Sequence, residues 1–195
     1  RRGLPANFVW VGDEPMESLP AKVRKYNRIG ESQRLHERYK CRIRSPWYAV
    51  PSVYATQVGM LKRSHHFPRL ILNRAKAFTT DTAYRIRPKR VVARDLVVAF
   101  VNSLTALSAE LEGRHYGGGV LELVPSEIEK LVIPTGTPTT RCLNELNRLG
   151  RTGASADQIM EEQDEQILRP LGISRQACSS LRQAWLRLRN RRQRN

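Results

Sequence analysis

Few side chains in this sequence could do bond-making chemistry, and their spacing argues against an active site. Cys41, Cys142 and Cys178 are odd in number and far apart, with no Cys-x-x-Cys pair. Neither a disulfide framework nor a zinc site follows from such a set. The four histidines, His36, His65, His66 and His115, stand at no usual metal-ligand spacing. The thiols are therefore read as small core residues. A Walker loop, a His-Glu-x-x-His pair and a Gly-x-Ser-x-Gly elbow are all missing from the sequence. A metal-dependent nuclease needs clustered carboxylates, yet residues 39–95 contain only Asp81 and Asp95. Gly117-Gly118-Gly119 has the composition of a phosphate cradle, but such a loop follows a strand and opens a helix. Here the predicted order is helix, glycines, strand, which points to a tight turn or a bare-backbone approach to a partner. No catalytic, cofactor-binding or metal-ligating residue is assigned, and no cofactor is expected in this chain.

What the sequence offers instead is positive charge. Its 195 residues carry 34 Lys+Arg against 18 Asp+Glu, a formal net charge of +16. The excess is uneven: residues 39–95 hold 13 basic and 2 acidic side chains, residues 96–140 are net acidic, and the closing 141–195 hold 11 basic and 6 acidic. Such a balance selects an acidic partner, and nucleic acid is the commonest. The longest apolar run, 96–101, is six residues, far short of the roughly 18–20 a membrane span needs, and no secretory signal opens the chain. A cytoplasmic protein with no membrane partner is expected. Because it begins at Arg1 rather than Met, the chain is read as a piece of a longer polypeptide.

The elements that must position this charge are legible from periodicity. Tyr39-Lys40-Cys41-Arg42-Ile43-Arg44 alternates without a break, which predicts a strand with its cations on one face. Further strands are predicted at 47–50, 57–61, 70–73 and 83–87, punctuated by Pro46, Pro51, Pro68 and Pro88. Seven aromatics interleave with the cations of this stretch, and most are expected in the sheet core. Leu96, Phe100, Leu104, Leu107 and Leu111 form one stripe of an amphipathic helix, with Asp95 as its N-cap and Gly113 as its stop. A short apolar run at 120–124 precedes a capping box of Ser126 and Glu129. Past a linker at 135–140, helices are predicted at 141–149, 156–168 and 174–192, with Gly172 in the last turn and Ser174 as a cap. The fold class is α+β: a small, mostly antiparallel sheet with a packing helix, then a helical C-terminal segment. The domains expected are a connecting segment at 1–38, a strand-rich recognition domain at 39–134, and the helical segment at 141–195.

These residues resemble a known family. Tyr39-Lys-Cys-Arg-Ile-Arg-Ser-Pro-Trp-Tyr-Ala-Val-Pro51 is similar to the opening of the target-recognition part of adenine-specific DNA methyltransferases, the gamma class of bacterial restriction–modification systems. Ile71-Leu-Asn73-Arg74-Ala75, Asn102-Ser103-Leu104, and Glu112-Gly-Arg-His-Tyr-Gly-Gly-Gly119 with Leu121-Glu-Leu-Val-Pro-Ser-Glu-Ile128 follow in the matching order. The resemblance covers roughly residues 30–135, and the closing Leu186-Arg-Leu-Arg-Asn-Arg-Arg192 is similar too. The family's S-adenosylmethionine loop and its Asn-Pro-Pro-Tyr/Phe motif are not in this sequence. The resemblance thus implies a C-terminal recognition domain that binds double-stranded DNA and presents a flipped adenine to a catalytic domain of the same parent polypeptide, where S-adenosylmethionine would bind. The DNA contacts expected are Lys40, Arg42, Arg44, Arg63, Arg85, Arg87 and Lys89, with Arg114 and Tyr116 beside the triple glycine. The alternative is a helix-turn-helix-like DNA-binding regulatory module centred on 168–192, whose last helix ends in Arg187, Arg189, Arg191, Arg192 and Arg194. Those five fit a solvated tail and a phosphate contact equally well.

Overall fold

The computed structural model describes residues 9–136 and 142–194. The chain forms two compact units, Arg1–Tyr54 and Ala55–Asn195. In the first, helix α1 (Ala21–Ser32) follows Pro20, and Gln33 ends it. The predicted strand at 39–44 is instead a single helical turn, α2 (Tyr39–Arg42), and 47–50 forms no strand, with Trp47 and Tyr48 in a turn. A strand exists only by pairing, and among the described residues 9–54 there is no strand for either to pair with. Trp47 packs on α1 instead. Its ring lies so close to Gly30 that an added Cβ would come within 2.6 Å of it, and its indole N–H donates to Glu31 Oε1 at 3.2 Å. The Tyr48 hydroxyl donates to the Glu14 carbonyl at 2.5 Å.

The second unit carries two three-stranded antiparallel sheets. The first orders β3 (Leu70–Leu72), β1 (Val58–Leu61) and β4 (Ala83–Ile86) with β1 central. The second orders β2 (Arg63–Ser64), β6 (Val120–Glu122) and β5 (Arg114–Tyr116) with β6 central. The predicted strands at 57–61, 70–73 and 83–87 are therefore present. The architecture is α+β with a helical C-terminal segment, as the sequence predicts.

The leucine stripe forms two helices, not one: α3 (Ala93–Ala99) and α4 (Ser103–Glu112). Asn102 causes the break. Its backbone is extended, its side-chain oxygen caps α4 by accepting from Thr105 N–H, and its amide donates to the Ala99 carbonyl at 2.6 Å. One buried side chain thus closes α3 and opens α4. Asp95 lies inside the first turn of α3, whose N-cap position is Val92. Gly113 does end α4, and only glycine fits there: a Cβ would lie 2.6 Å from Leu121 Cδ1 and 2.7 Å from the Ala109 carbonyl.

Helix α5 (Pro125–Ile128) starts earlier than its predicted capping box. Pro125 at its first position has no N–H to cap, so Glu127, not Glu129, reaches back to accept from Val124 N–H at 2.8 Å. Helices α6 (Cys142–Thr152), α7 (Ala156–Gln163) and α8 (Arg175–Gln193) follow. The segment predicted as one helix at 156–168 changes to a π turn at Asp164–Leu168. Gly172 is left-handed at φ 86°, and Ser174 caps α8 through Ala177 N–H.

The main core joins Val58, Met60 and Leu70 of the first sheet to Val97 and Val98 of α3 and Leu121 beneath the second sheet. A second cluster forms around Trp185 of α8 with Phe67, Val101, Ala106 and Met160. Beside them Asp164, 2% exposed, accepts from Ser103 N–H at 2.7 Å, at the start of α4. Burial pushes its carboxyl above the ordinary range, although the Ser103 hydrogen bond pulls the other way. The folded state therefore holds this proton more tightly than the unfolded chain. Stability from Asp164 is greatest at low pH and falls as pH rises through the raised value. Urea midpoints of the native chain should accordingly lose ground to those of Asp164→Asn as pH rises above the ordinary carboxylate range; midpoints that stay parallel would count against a raised Asp164.

Candidate nucleic-acid interface

The second sheet presents a polar outer face because its strands alternate. Arg63 on β2 and Arg114 on β5 both stand opposite Glu122 on β6, and Tyr116 stands opposite Val120. Leu121, one residue away, points into the core at 1% exposure. Arg63 Nε donates to Glu122 Oε2 at 2.7 Å, and its guanidinium lies 5.9 Å from the centre of the Tyr116 ring. Arg114 Nε donates to Glu127 Oε1 at 2.6 Å. These bonds raise both guanidinium pKa values. Glu127 is lowered, first by Val124 N–H and then by Arg114. Lys62, one residue before Arg63, lies instead 5.1 Å from the Tyr84 ring of the first sheet. The face thus holds its cations in fixed positions through carboxylates, with Tyr116 half exposed between them.

The turn joining β5 to β6 is the triple glycine. Gly118 and Gly119 adopt φ of 73° and 70°, which a side chain would strain. Behind Gly119 stands α8: a Cβ there would come within 3.0 Å of Gln193 Cα. The glycines close a strand-to-strand hairpin and do not open a helix.

One side chain holds this turn in place. Arg192 of α8, 4% exposed, donates from Nε and Nη2 to the two carboxylate oxygens of Glu110 at 2.9 and 2.6 Å. Its Nη1 donates to the His65 carbonyl at 3.1 Å and to the Gly119 carbonyl. A residue read from sequence as tail or phosphate contact is therefore a buried cation bound on every side.

A family model for the C-terminal domain of the Type II methyltransferase M.Eco57I matches residues 1–168. The chain belongs to this family. No curated protein and no solved structure matches it.

In this methyltransferase C-terminal domain, the nine expected DNA contacts fall on several elements of the two units. Arg63, Arg114 and Tyr116 share the outer face of the second sheet. Arg85 lies on β4 of the first sheet opposite Gly59, while Arg87 and Lys89 are exposed beyond the end of β4. Lys40, Arg42 and Arg44 belong to the other unit, on α2 and the turn after it rather than on a strand face. Lys40 and Arg42 are exposed, and Arg44 Nη1 donates to the Ala49 carbonyl at 3.2 Å. The expectation that most interleaved aromatics are core is also corrected. Of the seven, Phe67 is fully buried, whereas Tyr39, Tyr54 and Phe78 are 68, 41 and 58% exposed. Tyr39 and Tyr54 lie in the first unit, where the described residues form no strand.

The domain also has a groove of about 1180 Å³ between the 61–74 segment and helices α6, α7 and α8. Its lining includes Arg63, one of the nine, and Arg69, Arg74, Arg151 and Arg189, which are not among them. Arg189 had a readable signal, since it lies one helical turn from Trp185. Arg69 and Arg151 come from separate segments and had none.

Proposed function

We propose that the domain recognises a duplex DNA sequence on behalf of an adenine-specific methyltransferase of a restriction–modification system. It would position the target adenine, flipped from the stack, for a catalytic domain of the same polypeptide that binds S-adenosylmethionine. The observation that carries this reading is the family membership joined to the charge: a methyltransferase C-terminal domain with 13 basic and 2 acidic residues in the segment 39–95. The Arg63–Arg114–Tyr116 face supports it. Cations fixed by neighbouring carboxylates lose little freedom on meeting base edges or phosphates, and Tyr116 adds a surface on which a base can stack.

The test is binding of a labelled duplex by the full chain at rising salt. With about six phosphates neutralised, affinity should fall about 10³-fold between 50 and 200 mM; a flat response would overturn the proposal. The same chain alone should transfer no labelled methyl group from S-adenosylmethionine to DNA. The helical alternative needs its own arm, and deleting 141–195 would remove Trp185 and Arg192 from the core. Substituting the exposed Arg187 and Arg191 by Gln is the cleaner variant. Should that pair abolish binding while Arg63→Gln/Arg114→Gln leaves it intact, recognition lies on α8.

A further inference from the structure

We propose that the groove between the 61–74 segment and the C-terminal helices is a phosphate clamp for one strand of the bound duplex, with Arg69 and Arg189 as its paired cations. This rests on the DNA-binding reading above and extends it to residues outside the outer sheet face. The groove's arginines outnumber its one carboxylate, Asp157, which lies 3.4 Å from Arg182. Among the described residues, no carboxylate comes within ion-pairing distance of Arg69, Arg74, Arg151 or Arg189, whereas Arg63 and Arg114 are each neutralised by a glutamate.

The two central arginines are held by aromatic rings, not by anions. Arg69 lies 5.8 Å from the Phe67 ring centre and Arg189 lies 4.7 Å from that of Trp185. The two rings meet edge to face at 6.2 Å. This row places both guanidinium groups against rings and away from carboxylates. Arg189 Nε and Nη2 donate to the neutral Asn190 Oδ1 at 3.2 and 2.9 Å, a partner that leaves its charge uncompensated and that a phosphate oxygen could replace. The local potential is positive: burial lowers the neighbouring His66, and His65, Arg189, Arg192 and Arg69 lower it further. Burial likewise lowers Arg189 itself, so a bound anion would relieve it.

The lining also includes apolar side chains, Leu61 and Ile71 among them, exposed at 52 and 50%. A sugar–phosphate strand combines anions with apolar deoxyribose, which suits a lining of arginines and aliphatic side chains. Phosphate contacts carry no sequence information, so the clamp sets register and the sheet face is left to read bases.

The experiment compares the full native chain with Arg69→Gln/Arg189→Gln, using labelled duplexes of several unrelated sequences between 50 and 200 mM salt. Each lost phosphate contact removes about one unit of salt slope. The double variant's affinity should therefore fall about 12-fold less across that range than the native chain's. The loss at low salt should be equal on every sequence. Arg69→Lys/Arg189→Lys, which keeps the charges, should restore most of the slope, and this separates a phosphate contact from a folding defect. An unchanged slope in the Gln variant would overturn the clamp while leaving the DNA reading standing. Loss of binding to polyglutamate with duplex binding unchanged would overturn it in favour of an acidic protein partner. A native chain that ignores salt would overturn the DNA reading itself.

Discussion

Arg192→Ala is expected to destabilise the domain by about 3–5 kcal/mol, the usual cost of removing one partner from a buried ion pair. The side chains of Arg192 and Glu110 are 1 and 0% exposed, so alanine would leave a carboxylate in the interior with its principal partner gone. It would also remove a donor from the His65 and Gly119 carbonyls, although Gln193 still reaches His65 at 2.6 Å. The charge state explains the size of the effect better than the lost contacts do. Arg192→Met with Glu110→Leu removes both charges and keeps the volume, and such replacements are often close to neutral. The double variant should therefore recover most of the stability in urea melts. It should not recover the hairpin. Without a guanidinium on Gly119, the turn between Arg114–Tyr116 and Val120–Glu122 is freed from α8, and amide exchange there should quicken even where the global midpoint is restored. A double variant as unstable as Arg192→Ala would show that geometry, not an unpaired charge, is what the pair supplies.

Arg192 also shows where reading from sequence stops. Its partner lies 82 residues earlier, and no local pattern marks one arginine among five at a helix end as the buried one. Legibility followed the range over which each interaction acts. The strands at 57–61, 70–73 and 83–87 were readable because side-chain alternation and flanking turns are local and the partner strands were close in sequence. The segment from Tyr39 to Arg44 alternates just as cleanly and yet forms α2, since alternation shows what a strand could bury but does not supply a strand to pair with. The split between α3 and α4 is readable in principle, because Asn102-Ser103 inside an apolar stripe is a cap signal, but the leucine period taken alone runs straight across it. Of the expected contacts, Arg114 and Tyr116 are legible as neighbours because they flank the triple glycine, whereas Arg63 joins them only through the pairing of β2 with β6. The groove joins α8 to a segment more than a hundred residues earlier, so its arginines acquire a common purpose only in three dimensions.

Trp185→Ala is expected to cost about 3–5 kcal/mol and, unlike the Arg192 change, to weaken the proposed DNA binding with it. Trp185 is 0% exposed and lies at the centre of the cluster that joins α8 to Phe67, Val101, Ala106 and Met160. Truncation leaves a cavity that rigid neighbours fill only partly, and it takes away the face on which Arg189 lies. For a chain of this length each kcal/mol shifts the melting temperature by about 2–4 °C, so the loss is easily measured. Trp185→Phe separates the two roles. Phenylalanine keeps a ring against Phe67 and under Arg189, and it discards an indole N–H that has no partner among the described residues. It should lose less than half as much stability as alanine and retain the native salt slope. The alanine variant, measured well below its lowered melting temperature, should show a reduced slope. If both variants were destabilised yet bound duplex with the native slope, Arg189 would not depend on the ring beneath it. If neither were destabilised, α8 would not be part of this core, although it lies beyond residue 168, where the family match ends. The structure puts it inside: the helix that follows the matched span supplies the tryptophan at the centre of the second cluster and the arginine that holds the hairpin.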